Sequence, residues 1–176
     1  MTTATKITLL RVILIPVFMI VLLLDYRIPA MIIFIIASLT DFVDGYIARH
    51  YNQVTNLGRF LDPLADKLLV FSALLIFCQW GLVPAWAVMV VLAREFAVSG
   101  LRMIAASEGR VIAAGLSGKV KTFTTMVGIC IIMLPSIPSV VDMIIVTVIV
   151  IITIYSGVEY FLRNLDVLKG SGKSDS

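Results

Sequence analysis

Four aspartates are concentrated in one apolar part of the sequence: Asp41, Asp44, Asp62 and Asp66. Asp41 and Asp44 are three residues apart and Asp62 and Asp66 are four apart, so each pair shares one face of a predicted helix. A short connection makes these helices antiparallel neighbours whose acidic faces can meet. Four carboxylates in a low-dielectric environment repel one another unless cations neutralise them. Oxygen ligands on helices favour a hard divalent ion such as Mg²⁺ or Mn²⁺, and two such ions would balance the charge.

The residues between the aspartates indicate what else could bind there. Gly45 and Ala48 remove side-chain bulk beside Asp44, and Gly58 permits close backbone approach. Arg49 offers a planar fork that suits a phosphate. Small residues, a phosphate-binding cation and paired carboxylates together indicate phosphoryl chemistry.

Two other interpretations of the aspartates stay open. They could be ordinary helix-end residues, which explains Asp62 as a cap but leaves Asp41 and Asp44 inside an apolar helix. They could also belong to a divalent-cation transporter, which places carboxylates at membrane depth as well. Ion transport, however, has no need of the small residues and the arginine described above.

The composition indicates which elements must position these residues. The chain has 176 residues, 60% of them hydrophobic and 14% charged, with a mean hydropathy of +1.07. Soluble domains are about 45–50% apolar and about 25% charged, so a soluble enzyme, a disordered chain and a disulfide-rich secreted module are excluded. We predict an all-α integral membrane bundle of six transmembrane helices, near Thr8–Leu24, Ile28–His50, Phe60–Trp80, Val83–Ser107, Lys119–Leu134 and Pro138–Arg163.

Charge in the connections predicts the orientation. Lys and Arg flank the 52–58 and 109–118 connections and both ends of the chain, so both termini are expected in the cytoplasm. The first span is expected to stay uncleaved, because no small-residue cleavage site follows Leu24. Residues 1–169 are predicted to form one transmembrane domain and residues 170–176 a disordered tail. Cys78 and Cys130 are isolated in apolar runs and are not expected to pair.

The segment from Asp41 to Asp66 resembles the complete signature of the CDP-alcohol phosphotransferases, D-x-x-D-G-x-x-A-R-x8-G-x-x-x-D-x-x-x-D. The family's six-span architecture is similar to that predicted for the whole chain. The resemblance implies attack of an alcohol on the β-phosphoryl group of a CDP-linked lipid, with release of CMP. It implies that all four aspartates bind two divalent cations, Mg²⁺ or Mn²⁺, and that Asp66 is also the general base. It further implies a CDP-lipid pocket lined by Gly45, Ala48, Arg49, Thr55 and Gly58.

A second stretch indicates the acceptor. Arg94-Glu95-Phe96-x-x-Ser99-Gly100-Leu101-Arg102, followed by Gly118-Lys119-x-Lys121-Thr122, is similar to the branch of this family that makes phosphatidylglycerophosphate. The acceptor there is sn-glycerol 3-phosphate, an anion that needs cations. Four basic residues around one predicted cytoplasmic loop could supply them, although each also fits the charge bias of a cytoplasmic loop: Arg102, Arg110, Lys119 and Lys121.

The expected function is transfer of a phosphatidyl group from CDP-diacylglycerol to glycerol 3-phosphate. The alternatives within the family are inositol phosphate, serine or phosphatidylglycerol as acceptor. The resemblance also implies a homodimer in a bacterial cytoplasmic membrane, with the site facing the cytoplasm and no nucleic-acid partner. One departure is that Ala4-Thr5 stand where this branch usually has Pro-Asn, which could alter contact with the cytidine. Arg94 and Glu95 lie near the middle of their predicted span, where charged side chains need partners, and they are expected to be paired.

Overall fold

The computed structural model describes the backbone of residues 3–50, 56–110, 112–113 and 115–168, and the side chains of residues 9–40, 64–65, 67–110, 112–113 and 115–167. Every regular element in these ranges is a helix, so the all-α prediction is confirmed. The predicted tail, residues 170–176, lies outside the described residues, as does Thr55. The helices are α1 (Thr3–Leu23), α2 (Arg27–His50), α3 (Asn56–Gln79), α4 (Ala85–Ser107), α5 (Leu116–Ile132), α6 (Ser139–Arg163) and α7 (Leu165–Leu168).

Six long helices occupy the six predicted segments, but three of them begin earlier than predicted. Helix α1 begins at Thr3 and α5 at Leu116, each before the apolar run that marked it in the sequence. Helix α3 begins at Asn56, so Gly58 lies in its first turn and not in the preceding loop, which corrects the sequence-based placement. The reason is that backbone hydrogen bonding continues through polar residues that hydropathy excludes.

Within the part of the chain that the structure describes, one helix has the length and apolarity of a membrane span, Ser139–Arg163. Shorter apolar helical stretches occur at Leu9–Leu23, Arg27–Thr40 and Lys67–Gln79.

The chain divides into two compact units, and the first comprises Met1–Leu82 with Ile129–Pro138. In this unit α1 packs against α2 and α3, and α2 packs against α3. The rings of Phe18 and Phe34 lie 5.6 Å apart in its interior, and Ala37 and Ala73 let the helices approach closely. Packing of these three helices holds the acidic segments of α2 and α3 in one unit.

The second unit comprises Val83–Gly128 with Ser139–Ser176. In it α4 packs against α6 and the short α7 around a buried cluster formed by Val98, Leu101, Ala105, Tyr160 and Val167. Helix α4 ends in a Schellman motif, in which Gly109 has φ +73° and the Arg110 amide donates to the Ala105 carbonyl at 2.9 Å. The cap turns the chain sharply, so that Arg110 leaves the helix beside α7.

Candidate active site

The four aspartates lie on two packed helices. Asp41 and Asp44 are on the second half of α2, and Asp62 and Asp66 are on the first half of α3, which packs against α2. Their side chains lie outside the described part of the structure. The backbone therefore places both acidic pairs in one helix pair of one unit, as the spacing predicts, and leaves the ligand geometry a prediction.

The predicted CDP-lipid residues follow the same two helices. Gly45, Ala48 and Arg49 lie in the last two turns of α2, and Gly58 in the first turn of α3. Their side chains, and that of His50, are outside the described residues, so the structure gives their positions along the helices and not their contacts.

A buried arginine of the first helix lies beside this region. Arg11 of α1 is fully buried, and its Nε donates a hydrogen bond to the Ala37 carbonyl of α2 at 3.2 Å. Ala37 is one helical turn before Asp41. A cationic residue of α1 is thus buried in the helix packing one turn before the first aspartate of α2. Its burial could not be predicted from its position near the end of the chain.

Arg102 is held by a tyrosine of α6. Its Nε donates to the Tyr160 hydroxyl at 3.0 Å, and its Cζ lies 5.4 Å from the centre of the Tyr160 ring. The Arg102 side chain is exposed, whereas Tyr160 belongs to the buried cluster of the second unit. Both contacts are therefore to a neutral group, and no carboxylate among the described residues pairs with Arg102.

Arg110 and Lys119 differ in their partners. Arg110 Nη1 contacts Asp166 Oδ2 of α7 at 3.0 Å, and both side chains are about half exposed or more. Lys119, in the first turn of α5, is exposed and makes no ion pair within the described residues.

Lys121 is buried in a polar cluster. Its Nζ donates to Glu95 Oε1 at 2.5 Å, and Arg94 Nη1 donates to the same oxygen at 2.9 Å. Arg94 Nη2 donates to the Ser156 hydroxyl of α6 at 2.5 Å, so the cluster joins α4, α5 and α6. The expected pairing of Arg94 and Glu95 is confirmed, and Lys121 is engaged with the same carboxylate.

A glycine of α6 makes room for Arg94. A Cβ on Gly157 would lie 3.2 Å from Arg94 Cγ, closer than most Cβ contacts, whereas one on Gly118 of α5 would lie 3.5 Å from Arg94 Nη2, an ordinary van der Waals distance. Gly157 therefore admits the stem of the arginine, and Gly118 is not needed for it. Gly118 was placed in a loop from the sequence, but it belongs to the first turn of α5.

Metal-binding clusters of three or more His, Cys, Asp or Glu do not occur among the described side chains, which exclude the four aspartates. Both cysteines are half-buried free thiols. The chemistry-bearing groups are thus carboxylates on α2 and α3 and guanidinium and ammonium groups on α4, α5 and the α4–α5 connection. An all-helical chain with these two sets has the features of an enzyme class that acts on phosphorylated substrates.

Comparison with known proteins identifies that class. A family model described as CDP-alcohol phosphatidyltransferase matches residues 1–155. The chain belongs to this family, whose members generally use divalent metal ions.

The chain is also similar over most of its length to individual members. A CDP-diacylglycerol–glycerol-3-phosphate 3-phosphatidyltransferase of Bacillus subtilis (strain 168) is 47% identical over 186 aligned positions, which cover 94% of this chain and 96% of the relative. A "probable phosphatidylglycerophosphate synthase" of Mycobacterium tuberculosis is 37% identical, covering 95% and 83%. A further 3-phosphatidyltransferase of the first kind, from Rickettsia bellii, is 37% identical, covering 88% and 90%.

Proposed function

We propose that this protein transfers the phosphatidyl group of CDP-diacylglycerol to sn-glycerol 3-phosphate, giving phosphatidylglycerophosphate and CMP. The observation that carries the proposal is the complete aspartate signature on the packed helices α2 and α3, in a chain 47% identical to a relative named for this reaction. The acceptor expected from the basic stretch of α4 and α5 is also the acceptor in the name of that relative.

The four aspartates are the proposed metal ligands. Carboxylate oxygens at Asp41, Asp44, Asp62 and Asp66 are a donor set that fits Mg²⁺ or Mn²⁺, and four negative charges match two divalent ions. When bound, these ions would supply charge neutralisation at the diphosphate oxygens and at the leaving CMP phosphate.

The roles of general base and of binding the donor are assigned to residues of this chain. Asp66 is the proposed general base, which accepts the proton of the acceptor hydroxyl as its oxygen bonds to the β-phosphorus. The bond between that phosphorus and the oxygen bridging to CMP breaks, and CMP leaves with the electron pair. Arg49 would bind the diphosphate, and Gly45, Ala48, Thr55 and Gly58 would leave space for the nucleotide.

The acceptor phosphate is proposed to bind the basic residues of the second unit. Arg102 and Lys119 are exposed, and no carboxylate neutralises them within the described residues. Arg110 would have to share its guanidinium with Asp166. Lys121 would have to share its ammonium with Glu95, although an ammonium has three donors.

We propose that the six long helices cross the bacterial cytoplasmic membrane with both termini and the site on the cytoplasmic side, and that the protein forms a homodimer. One observation supports the alternating topology. Arg94 contacts Ser156 and Arg102 contacts Tyr160, so α4 and α6 run in the same direction. If every long helix spans the membrane, α4 and α6 must be parallel, because α5 crosses between them.

The purified protein tests the function directly. It is incubated in detergent with CDP-diacylglycerol and Mg²⁺ while glycerol 3-phosphate, inositol phosphate, serine and phosphatidylglycerol are offered one at a time. CMP release with glycerol 3-phosphate alone is expected. Release with another acceptor reassigns the substrate. If no acceptor gives CMP release, metal uptake by the protein reconstituted in vesicles would favour the transporter alternative.

Asp66→Asn tests the general base. The variant is expected to lose CMP release by at least about a hundredfold, which is the contribution typical of acid–base catalysis, while Mg²⁺-dependent binding of CDP-diacylglycerol is largely retained. The matched control is Asp25→Asn, an exposed aspartate of the α1–α2 turn at φ +61°, a conformation that asparagine also adopts. Normal turnover by Asp66→Asn would remove the base assigned here.

A further inference from the structure

Three arginines recur at intervals of eight residues along α4 and just beyond its end: Arg94, Arg102 and Arg110. Each is held by a residue from the C-terminal part of the second unit. Ser156 accepts from Arg94, Tyr160 accepts from Arg102, and Asp166 accepts from Arg110. The three contacts lie in the same order along both segments, which makes a ladder of guanidinium groups.

The three arginines differ in how their charge is compensated. Arg94 also contacts the Glu95 carboxylate, and Arg110 contacts the Asp166 carboxylate. Among the described residues, Arg102 contacts the hydroxyl and ring of Tyr160 and no carboxylate. The adjacent Glu159 is paired with Arg163 at 2.6 Å. Arg102 is therefore the member of the ladder that can take an external anion without displacing an internal carboxylate.

The contact with Tyr160 also selects which edge of Arg102 is available. Because Nε donates to the Tyr160 hydroxyl at 3.0 Å, the edge formed by Nη1 and Nη2 is left for a ligand. That edge presents two parallel N–H groups, the geometry that matches two oxygens of a phosphate. The exposed position of Arg102 gives a ligand access to it.

Tyr160 is fixed by its surroundings. It is 7% exposed and packs with Val98, Leu101, Ala105 and Val167. A tyrosine in such a cluster has little rotamer freedom, so the guanidinium that it holds is positioned before a ligand arrives.

We propose that Tyr160 is a positioning residue for the acceptor: it holds Arg102 so that the Nη1–Nη2 edge receives the phosphate monoester of the acceptor alcohol. This inference rests on the function proposed above and names a residue outside the family signature. Tyr160 acts through Arg102 on acceptor binding and leaves the donor site and the chemical step unchanged.

Steady-state kinetics of Tyr160→Phe tests the proposal, because phenylalanine keeps the ring and its packing but removes the hydroxyl. The KM for glycerol 3-phosphate is expected to rise about three- to tenfold, in the range of the net contribution of one typical hydrogen bond. The KM for CDP-diacylglycerol, kcat and Tm are expected to stay near wild type. The matched control is Tyr155→Phe, an exposed tyrosine on the same helix, which should change none of these.

A double-mutant cycle separates positioning from a structural effect. Arg102→Ala is expected to raise the KM for glycerol 3-phosphate further than Tyr160→Phe does. In the Arg102→Ala background, Tyr160→Phe should not raise the KM for glycerol 3-phosphate further, because the arginine that Tyr160 positions is absent. An unchanged acceptor KM in Tyr160→Phe, an equal rise for both substrates, or additive effects in the cycle would overturn the inference.

The result that would disprove the proposed function differs from the result that would disprove the role of Tyr160. If the wild-type protein releases no CMP with glycerol 3-phosphate, the function is wrong. If the wild-type protein is active with glycerol 3-phosphate and Tyr160→Phe leaves its KM unchanged, the positioning role alone is wrong.

Discussion

Substitution of Glu95 by glutamine should destabilise the second unit strongly. The Glu95 carboxylate accepts hydrogen bonds from Lys121 and Arg94, whose side chains are only 6% and 11% exposed. The cluster carries two positive charges and one negative, so Glu95→Gln leaves two adjacent, largely buried cations with no counter-charge among the described residues. Removing one partner of a buried ion pair costs about 3–5 kcal/mol. Glutamine has nearly the same shape as glutamate, so a packing defect contributes little to the loss.

Lys121→Met should be clearly milder, although it removes a residue from the same contact. Methionine keeps most of the apolar stem of Lys121, and the remaining Arg94–Glu95 pair is electrically balanced. The variant loses one charge-assisted hydrogen bond, about 1.5–3 kcal/mol, but no longer buries an ammonium. The double variant Glu95→Gln/Lys121→Met has one cation left and should recover part of the stability that Glu95→Gln loses.

Thermal unfolding in detergent micelles, followed by tryptophan fluorescence, measures this order. The control is Glu159→Gln, because Glu159 forms an i,i+4 pair with Arg163, whose side chain is 70% exposed, and such pairs contribute only about 0.3–0.5 kcal/mol. We expect Tm to decrease from wild type and Glu159→Gln, through Lys121→Met, to Glu95→Gln. A Lys121→Met variant that is less stable than Glu95→Gln would refute the charge reasoning.

Two further substitutions test packing and acceptor binding. Gly128→Ala would put a Cβ 2.8 Å from Ile149 Cδ1 and 2.9 Å from Ile145 Cγ2, so stability should fall by about 1–3 kcal/mol. Adding Ile149→Val, which removes Cδ1, should restore part of the Tm, and no restoration would mean that α5 and α6 are not in this contact. Asp166→Asn should lower the KM for glycerol 3-phosphate about two- to fivefold by releasing Arg110 from an exposed pair. An unchanged KM would exclude Arg110 from acceptor binding.

The helices were predictable because apolar runs of the right length leave few alternatives. Their first turns were not, since Asn56 to Arg59 and Leu116 to Gly118 are helical without being uniformly apolar. The consequence for the site is that Gly58 and Gly118, which the sequence placed in connections between helices, are helical residues.

The acidic half of the site was predictable from local spacing. Residues three or four apart share a helix face, and a short connection forces two helices to be neighbours, so Asp41 to Asp66 could be grouped without coordinates. The partners of the basic residues could not be. Arg102 and Tyr160 are 58 residues apart in sequence, and Arg110 and Asp166 are 56 apart, so only helix packing decides which residues meet.

A signal for one of these contacts was nevertheless present. Arg94 and Arg102, eight residues apart, lie within one broad face of α4, and Ser156 and Tyr160, four residues apart, lie on one face of α6. Polar residues repeated along one face of two apolar helices indicate a shared interface, because in a membrane each needs a partner. The pairing of the two faces could therefore have been suggested, although its order could not.

The contacts of the four basic residues distinguish them as candidates for acceptor binding, whereas their shared position near one loop does not. Arg102, Arg110, Lys119 and Lys121 all lie near one predicted cytoplasmic loop, and the positive-inside bias applies to each of them. An acceptor phosphate would reach Arg102 and Lys119 without competing with a described carboxylate. At Arg110 it would compete with the exposed Asp166 for about 1 kcal/mol or less, and at Lys121 with the largely buried Glu95 for several times that. Substrate dependence should accordingly be concentrated at the first two residues, because the same energy that keeps Lys121 on Glu95 withholds it from the substrate.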